Sequence, residues 1–250
     1  MKLRTQTSVL PWLDLLAIAA WSVLLLKYWL NGKLGLLIHP DYFWLVTVTA
    51  LVMLGVSGLQ AGKLLRRRRT TTPNQRHLTL FPPGFSSVLL LATAMLGLVF
   101  TPRVFASQTA LQRGVTDSVA LTRSQPQAFR SSRPPEERTL VDWVRTLNVY
   151  PEPDVYTGQK VNVQGFVIHL SELPDQYLML SRFVITCCAA DAYPVGLPVK
   201  LLQSRKAYPP DSWLEVQGQM ITENLAGKRQ LTIQASSIKQ IPEPKNPYDY

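Results

Sequence analysis

The stretch KVNVQGFVIHL, Lys160 to Leu170, decides the fold of the second half of the chain. Val161, Val163 and Gly165 alternate with polar neighbours, a period of two that belongs to a strand with one buried face. A glycine in the middle of such a strand marks a bend or a close backbone approach. The same signature returns in WLEVQGQMITEN, Trp213 to Asn224, where Gly218 is the interior glycine. Three further segments read as strands: Gln176–Cys188, Val195–Leu202 and Gln230–Ile241, with Gly227 marking the turn before the last. Five strands in so short a span, two of them bent by glycine, fit a small all-β domain, a five-stranded OB-like barrel. A small open β-sandwich is the alternative.

Moving toward the N-terminus, Leu140, Trp143, Val144 and Leu147 fall at i, i+3, i+4 and i+7, so Glu136–Asn148 reads as a short helix leading into this domain. Residues 107–138 are rich in Ser, Thr, Gln, Pro and Arg without periodicity and read as a linker. The β domain is therefore expected over 139–250 and a membrane domain over 1–106.

The membrane expectation rests on three apolar segments, at about 10–30, 42–62 and 85–101. Asp14 and Lys27 lie near the ends of the first, within reach of headgroups, although Asp14 also has the character of an ion ligand. The second carries Gly55, Gly58 and Gly62, small residues at a spacing that lets two membrane helices approach closely. The chain of 250 residues has a formal net charge of +10, and much of the basic charge flanks these segments. Lys2 and Arg4 precede the first, and Lys63, Arg66, Arg67, Arg68, Arg69 and Arg76 follow the second. The positive-inside rule then puts the N-terminus in the cytoplasm and the C-terminal domain outside it, in a multi-pass protein of the cell membrane. That placement makes lipid, not nucleic acid, the partner of the basic charge. Val104-Phe105-Ala106 matches a signal-peptidase site weakly.

The two cysteines of the chain are adjacent, Cys187 and Cys188, at the end of the expected second strand. If both lay in a strand they would point to opposite faces and could not share one metal ion. Packing, a thiol ligand or redox role, and a nucleophile remain open in that order. His169 is the one histidine of the expected β domain, His39 and His77 lying before it, and no convergent acid–base set surrounds the thiols, so no enzyme is expected. Cys188 is expected to pack inward, and Asp191, three residues on, to cap the following turn.

The segments YPEPDVYTGQKVNVQGFV, RFVITCCAADAYPVG and the terminal PEPKNPYDY together resemble the YcgQ-like family of uncharacterised bacterial membrane proteins. Arg182, Phe183, Cys188, Ala190 and Asp191 carry the most specific part of the resemblance. It implies a partner, a YcgR-like permease, and a role as its accessory subunit, with metal or another small solute as cargo. It names no cofactor and establishes no activity. Relatives with a histidine-rich loop between the second and third spans differ from this chain, which has His77 alone in 63–81. A membrane-anchored exterior binding module, free of any permease, is the competing expectation.

Overall fold

The computed structural model describes residues 6–66, 82–115 and 133–250. The chain forms two compact units, Met1–Arg103 and Val104–Tyr250.

The first unit holds three helices, α1 (Gln6–Leu30), α2 (Phe43–Arg66) and α3 (Phe85–Val99). Their apolar side chains mostly face outward: Trp44 is 66% exposed and Leu59 70%. Side chains of that kind need an apolar surrounding rather than water. Val9–Leu30 and Pro40–Arg66 are long and apolar enough to cross a membrane. The third expected span falls short, because α3 has 15 residues where a crossing needs about 20. Packing inside the unit runs along α1. Leu24, Tyr28 and Leu34 are buried together with flanking Trp21, Phe43, Val46 and Leu98. Hydrogen bonds tie α1 to α3: Tyr28 donates to the Gly97 carbonyl at 2.6 Å, and Trp21 Nε1 to the Leu90 carbonyl at 3.0 Å. Ser87 donates to the Asp14 carboxylate, so Asp14 is held between helices rather than free at a headgroup.

The second unit opens with α4 (Ser107–Arg113), where a linker was expected. Seven residues are too few to show a helical period, but Ser107 and Ala110 are buried and Phe105 packs on Phe183 with ring centroids 5.3 Å apart. Helix α5 (Leu140–Val149) begins later than the sequence suggested. Thr139 is its N-cap and forms a capping box with Asp142, which fixes the start, while 135–137 make a separate turn.

Six strands follow: β1 (Lys160–Ile168), β2 (Tyr177–Val184), β3 (Tyr193–Lys200), β4 (Trp213–Leu225), β5 (Lys228–Ile241) and β6 (Tyr248–Asp249). They form one sheet in the order β1-β4-β5-β3-β2-β6, and β1 also pairs with β2. The first five strands therefore close a ring of pairings, with β6 added outside it on β2. All pairs within the ring are antiparallel except β3–β5, which is parallel. The ring encloses the alternate residues that the period-two reading singled out, Val161 and Val163 of β1 with Leu178, Leu180, Val195, Leu197, Leu214, Val216, Leu231 and Ile233. Leu140, Trp143 and Val144 of α5 join that core. β4 and β5 make a hairpin in which Leu225 pairs with Lys228, and both loop residues, Ala226 and Gly227, have positive φ. This is the turn geometry that matches strand twist and favours glycine.

β2 ends four residues before the expected Cys188. The amide of Ile185 bonds to the Asp249 carbonyl of β6 at 3.0 Å instead of to a ring strand. Beyond it Thr186 and the cysteines leave the sheet.

Candidate functional site

The turn between β2 and β3 gathers the thiols. Because Cys187 and Cys188 lie outside the strand, the alternation rule that would send them to opposite faces does not apply. Their sulfurs converge to 3.7 Å, and both are free thiols. Cys187 is exposed and Cys188 partly so, which corrects the expectation that Cys188 packs inward.

Asp191 organises the turn. Its Oδ2 accepts from the Cys187 amide at 2.9 Å and its Oδ1 from the Cys188 amide at 3.2 Å. The Thr186 hydroxyl also donates to Oδ2. The carboxylate therefore caps backward, onto the residues that precede it, and not onto the turn that follows. Burial alone would raise its pKa, but the donors from Thr186, Cys187 and Cys188 together hold it below the usual carboxylate value. One donor atom from each of Cys187, Cys188 and Asp191 lies within 4.8 Å of the others. Among the described residues this is the one grouping of three such donors.

The carboxylate has an opposite effect on the neighbouring thiol. Acceptance of its proton by Asp191, and then the contact with Cys188, push Cys187 up to about 11. An exposed thiol so placed is a poor nucleophile near neutral pH. Asp191→Asn removes the negative acceptor. The midpoint of the rate–pH profile for reaction of Cys187 with a small aromatic disulfide should then fall from about 11 toward the ordinary thiol value of about 8.5. Below both midpoints the rate should rise about threefold per unit of fall, because the gain in thiolate is partly offset by weaker nucleophilicity. An unchanged midpoint would show that Asp191 does not hold the proton on sulfur.

Arg182 does not join the thiols. Its Nη2 donates to the Asn246 carbonyl at 2.6 Å and its guanidinium lies 5.7 Å from the Trp213 ring centre. Its Nε is buried without a hydrogen-bond partner among the described residues. The role of this arginine is to hold the segment that leads into β6. His169 is likewise elsewhere, with Nε2 at 2.9 Å from the Tyr208 carbonyl, and among the described residues no histidine joins the grouping of Cys187, Cys188 and Asp191.

Two contributors escaped sequence reasoning. Thr186 completes the hydrogen bonding of Asp191, and Arg113, from the expected linker, donates to the Ala192 carbonyl just past the turn. The spacing Thr186-Cys187-Cys188-x-x-Asp191 carries a signal for the first, since Asp commonly bonds nearby backbone amides. Nothing local signals the second.

In the helical unit, Gly55, Gly58 and Gly62 sit on a side of α2 where an added Cβ would meet nothing within 4 Å. Ala50 and Ser57, by contrast, are buried. Arg66 is the last residue of α2, and Arg67, Arg68, Arg69 and His77 lie outside the described residues.

No curated protein and no solved structure matches the chain. Residues 136–250, which comprise α5, the sheet and the thiol turn, match the DUF1980 C-terminal domain, a domain family of uncharacterised function.

Proposed function

We propose that the chain is a multi-pass accessory subunit of a YcgR-like permease, without enzymatic activity of its own, and that its β unit stands outside the cytoplasm. In this reading α3, extended by the residues after it, completes a third crossing. The basic residues after α2 stay in the cytoplasm, as the positive-inside rule requires. The β unit is read as OB-like, a reading supported by the pairing cycle β1-β2-β3-β5-β4 with its parallel pair β3–β5.

The observation that carries the proposal is the unused side of α2. Among the described residues Gly58 is open while Ala50 and Ser57 are buried, so the side with the closest possible backbone approach is available to a helix from another chain. A protein that needed only an anchor would require a single span. Gly58→Leu combined with Gly62→Leu should preserve membrane insertion, since leucine is more apolar, and should lower recovery of the permease with the chain by about tenfold. Crosslinking and co-purification from membranes holding both proteins at native level measure this. Recovery of the wild-type chain alone or only with itself would replace the accessory subunit with a free-standing, membrane-anchored binding module.

A further inference from the structure

We propose that Cys187, Cys188 and Asp191 form a binding site for a thiophilic d10 cation of the Zn2+ class, with a fourth coordination position left open. The inference concerns the β unit alone and stands whether or not a permease is the partner.

The first argument is geometric. A tetrahedral ion with metal–sulfur bonds of about 2.3 Å holds two thiolates about 3.8 Å apart. The sulfurs of Cys187 and Cys188 are 3.7 Å apart. A carboxylate oxygen at about 2.0 Å from the same ion would lie about 3.5 Å from each sulfur. The three donor atoms lie within 4.8 Å of one another, so closure asks about an ångström of movement. Cys187 is exposed, and rotation of its side chain can supply movement of that size.

The second argument concerns what holds the donors. Adjacent residues seldom direct side chains to one point, and here the chain must leave β2 before they can. The Ile185 amide turns to the Asp249 carbonyl, and the Cys187 and Cys188 amides both point at Asp191. The carboxylate is thus fixed by the backbone of the residues whose sulfurs it faces. Oδ1 accepts from the Cys188 amide at 3.2 Å, and a carboxylate oxygen has a second lone pair that can face a cation. Metal ligands are oriented by such outer hydrogen bonds, and Thr186 supplies a further one to Oδ2.

The third argument is chemical class. Two thiolates and one carboxylate favour a soft or borderline cation over Mg2+ or Ca2+, which take oxygen ligands. Binding exchanges charge: two thiols lose two protons as two metal–sulfur bonds form, with no change of oxidation state. The carboxylate that bonds the Cys187 and Cys188 amides when the site is empty becomes a ligand once the cation arrives. Three donors with an open position at the surface suit an ion that is held and passed on, since a closed structural site has four.

The test uses the full chain, reduced, in mild detergent. Co2+ is titrated in while the thiolate-to-cobalt charge-transfer absorption is followed, and Zn2+ is then added. One equivalent of Co2+ should bind, Zn2+ should displace it, and about two protons should be released per ion at neutral pH. The pair Cys187→Ser and Cys188→Ser together should abolish the band, and Asp191→Asn should weaken binding at least tenfold. A second measurement needs no variant: one equivalent of Zn2+ should protect both cysteines of the wild-type chain from alkylation, and a chelator should restore their labelling. Absence of the band and of protection in the folded, reduced wild type overturns the proposal. So does binding that survives loss of both thiols. Because no permease is present in either assay, failure here leaves the co-purification result untouched, and the reverse is equally true.

Discussion

Gly218→Val is expected to destabilise the β unit by about 3 kcal/mol, the upper end of what an overfilled interior costs. A Cβ on Gly218 would lie 2.0 Å from the Gln234 carbonyl oxygen and 2.9 Å from its carbon. These are backbone atoms of the neighbouring strand, so no side chain can rotate out of the way. The strand cannot move away either. β4 is hydrogen-bonded on both edges, with Val161 of β1 opposite Gly218 on one side and Ala235 of β5 on the other. The crowding comes from a register shift between Gln217 and Gly218, where Gln217 faces Ser237 and the next residue faces Ala235. Bulges of this kind raise local twist and coil a strand. Denaturant unfolding of the full chain, followed by the fluorescence of buried Trp143 and Trp213, measures the loss. Gln219→Ala, one residue on at an exposed position, should stay within about 0.5 kcal/mol. An unfolding midpoint for Gly218→Val equal to that of the wild type would mean that β4 and β5 lie farther apart at the bulge than these distances.

That glycine is legible in the amino-acid pattern, and the reason is physical. A residue without a side chain in the middle of an alternating apolar strand forfeits packing, so something must require it. Gly165 behaves in the same way: its Cβ would meet the Ser181 carbonyl at 2.6 Å. Val161, Val163, Val216 and the Gly227 turn are legible for the same kind of reason, because each is fixed by its own local period or φ angle. The long-range pieces are not. β6 is two residues in a tail punctuated by Pro242, Pro244 and Pro247, too short for any period and held by distant partners, β2 and Phe105. α4 has no readable face of its own and depends on contacts with the sheet. The thiol turn shows how one such miss propagates. Read from sequence, ITCC continues the apolar run of β2, and the two sulfurs diverge. Pairing with β6 takes up the Ile185 amide, the strand stops at Val184, and the sulfurs converge. The candidate site thus depends on a contact between residues more than sixty positions apart, which local pattern cannot carry.

The largest effect is expected at that contact. Tyr248 is 1% exposed and is paired with Phe183 across β6 and β2. Its ring lies 5.7 Å from Phe105 and 6.2 Å from Phe183, and Phe183 stacks on Phe166 at 5.5 Å with planes 9° apart. Tyr248→Ala removes one ring of this aromatic group and should cost about 3–5 kcal/mol, the range for deleting a buried aromatic side chain. Tyr248→Phe keeps the ring and removes only the hydroxyl that accepts from the Phe105 amide at 3.0 Å. It should cost about 1–3 kcal/mol, because that amide is left without its acceptor. Thermal unfolding of the two variants separates ring from hydroxyl. A second readout follows from the geometry of the turn. With β6 loosened, the Ile185 amide loses the Asp249 carbonyl and β2 is free to extend through Thr186, which would draw the two sulfurs to opposite faces. Under native conditions Tyr248→Ala should therefore abolish crosslinking of Cys187 to Cys188 by a short dithiol-bridging arsenical, while Tyr248→Phe retains it. If Tyr248→Ala is destabilised as expected yet still bridges the pair, the turn is held by Asp191 alone, and β6 contributes stability but not the convergence of the thiols.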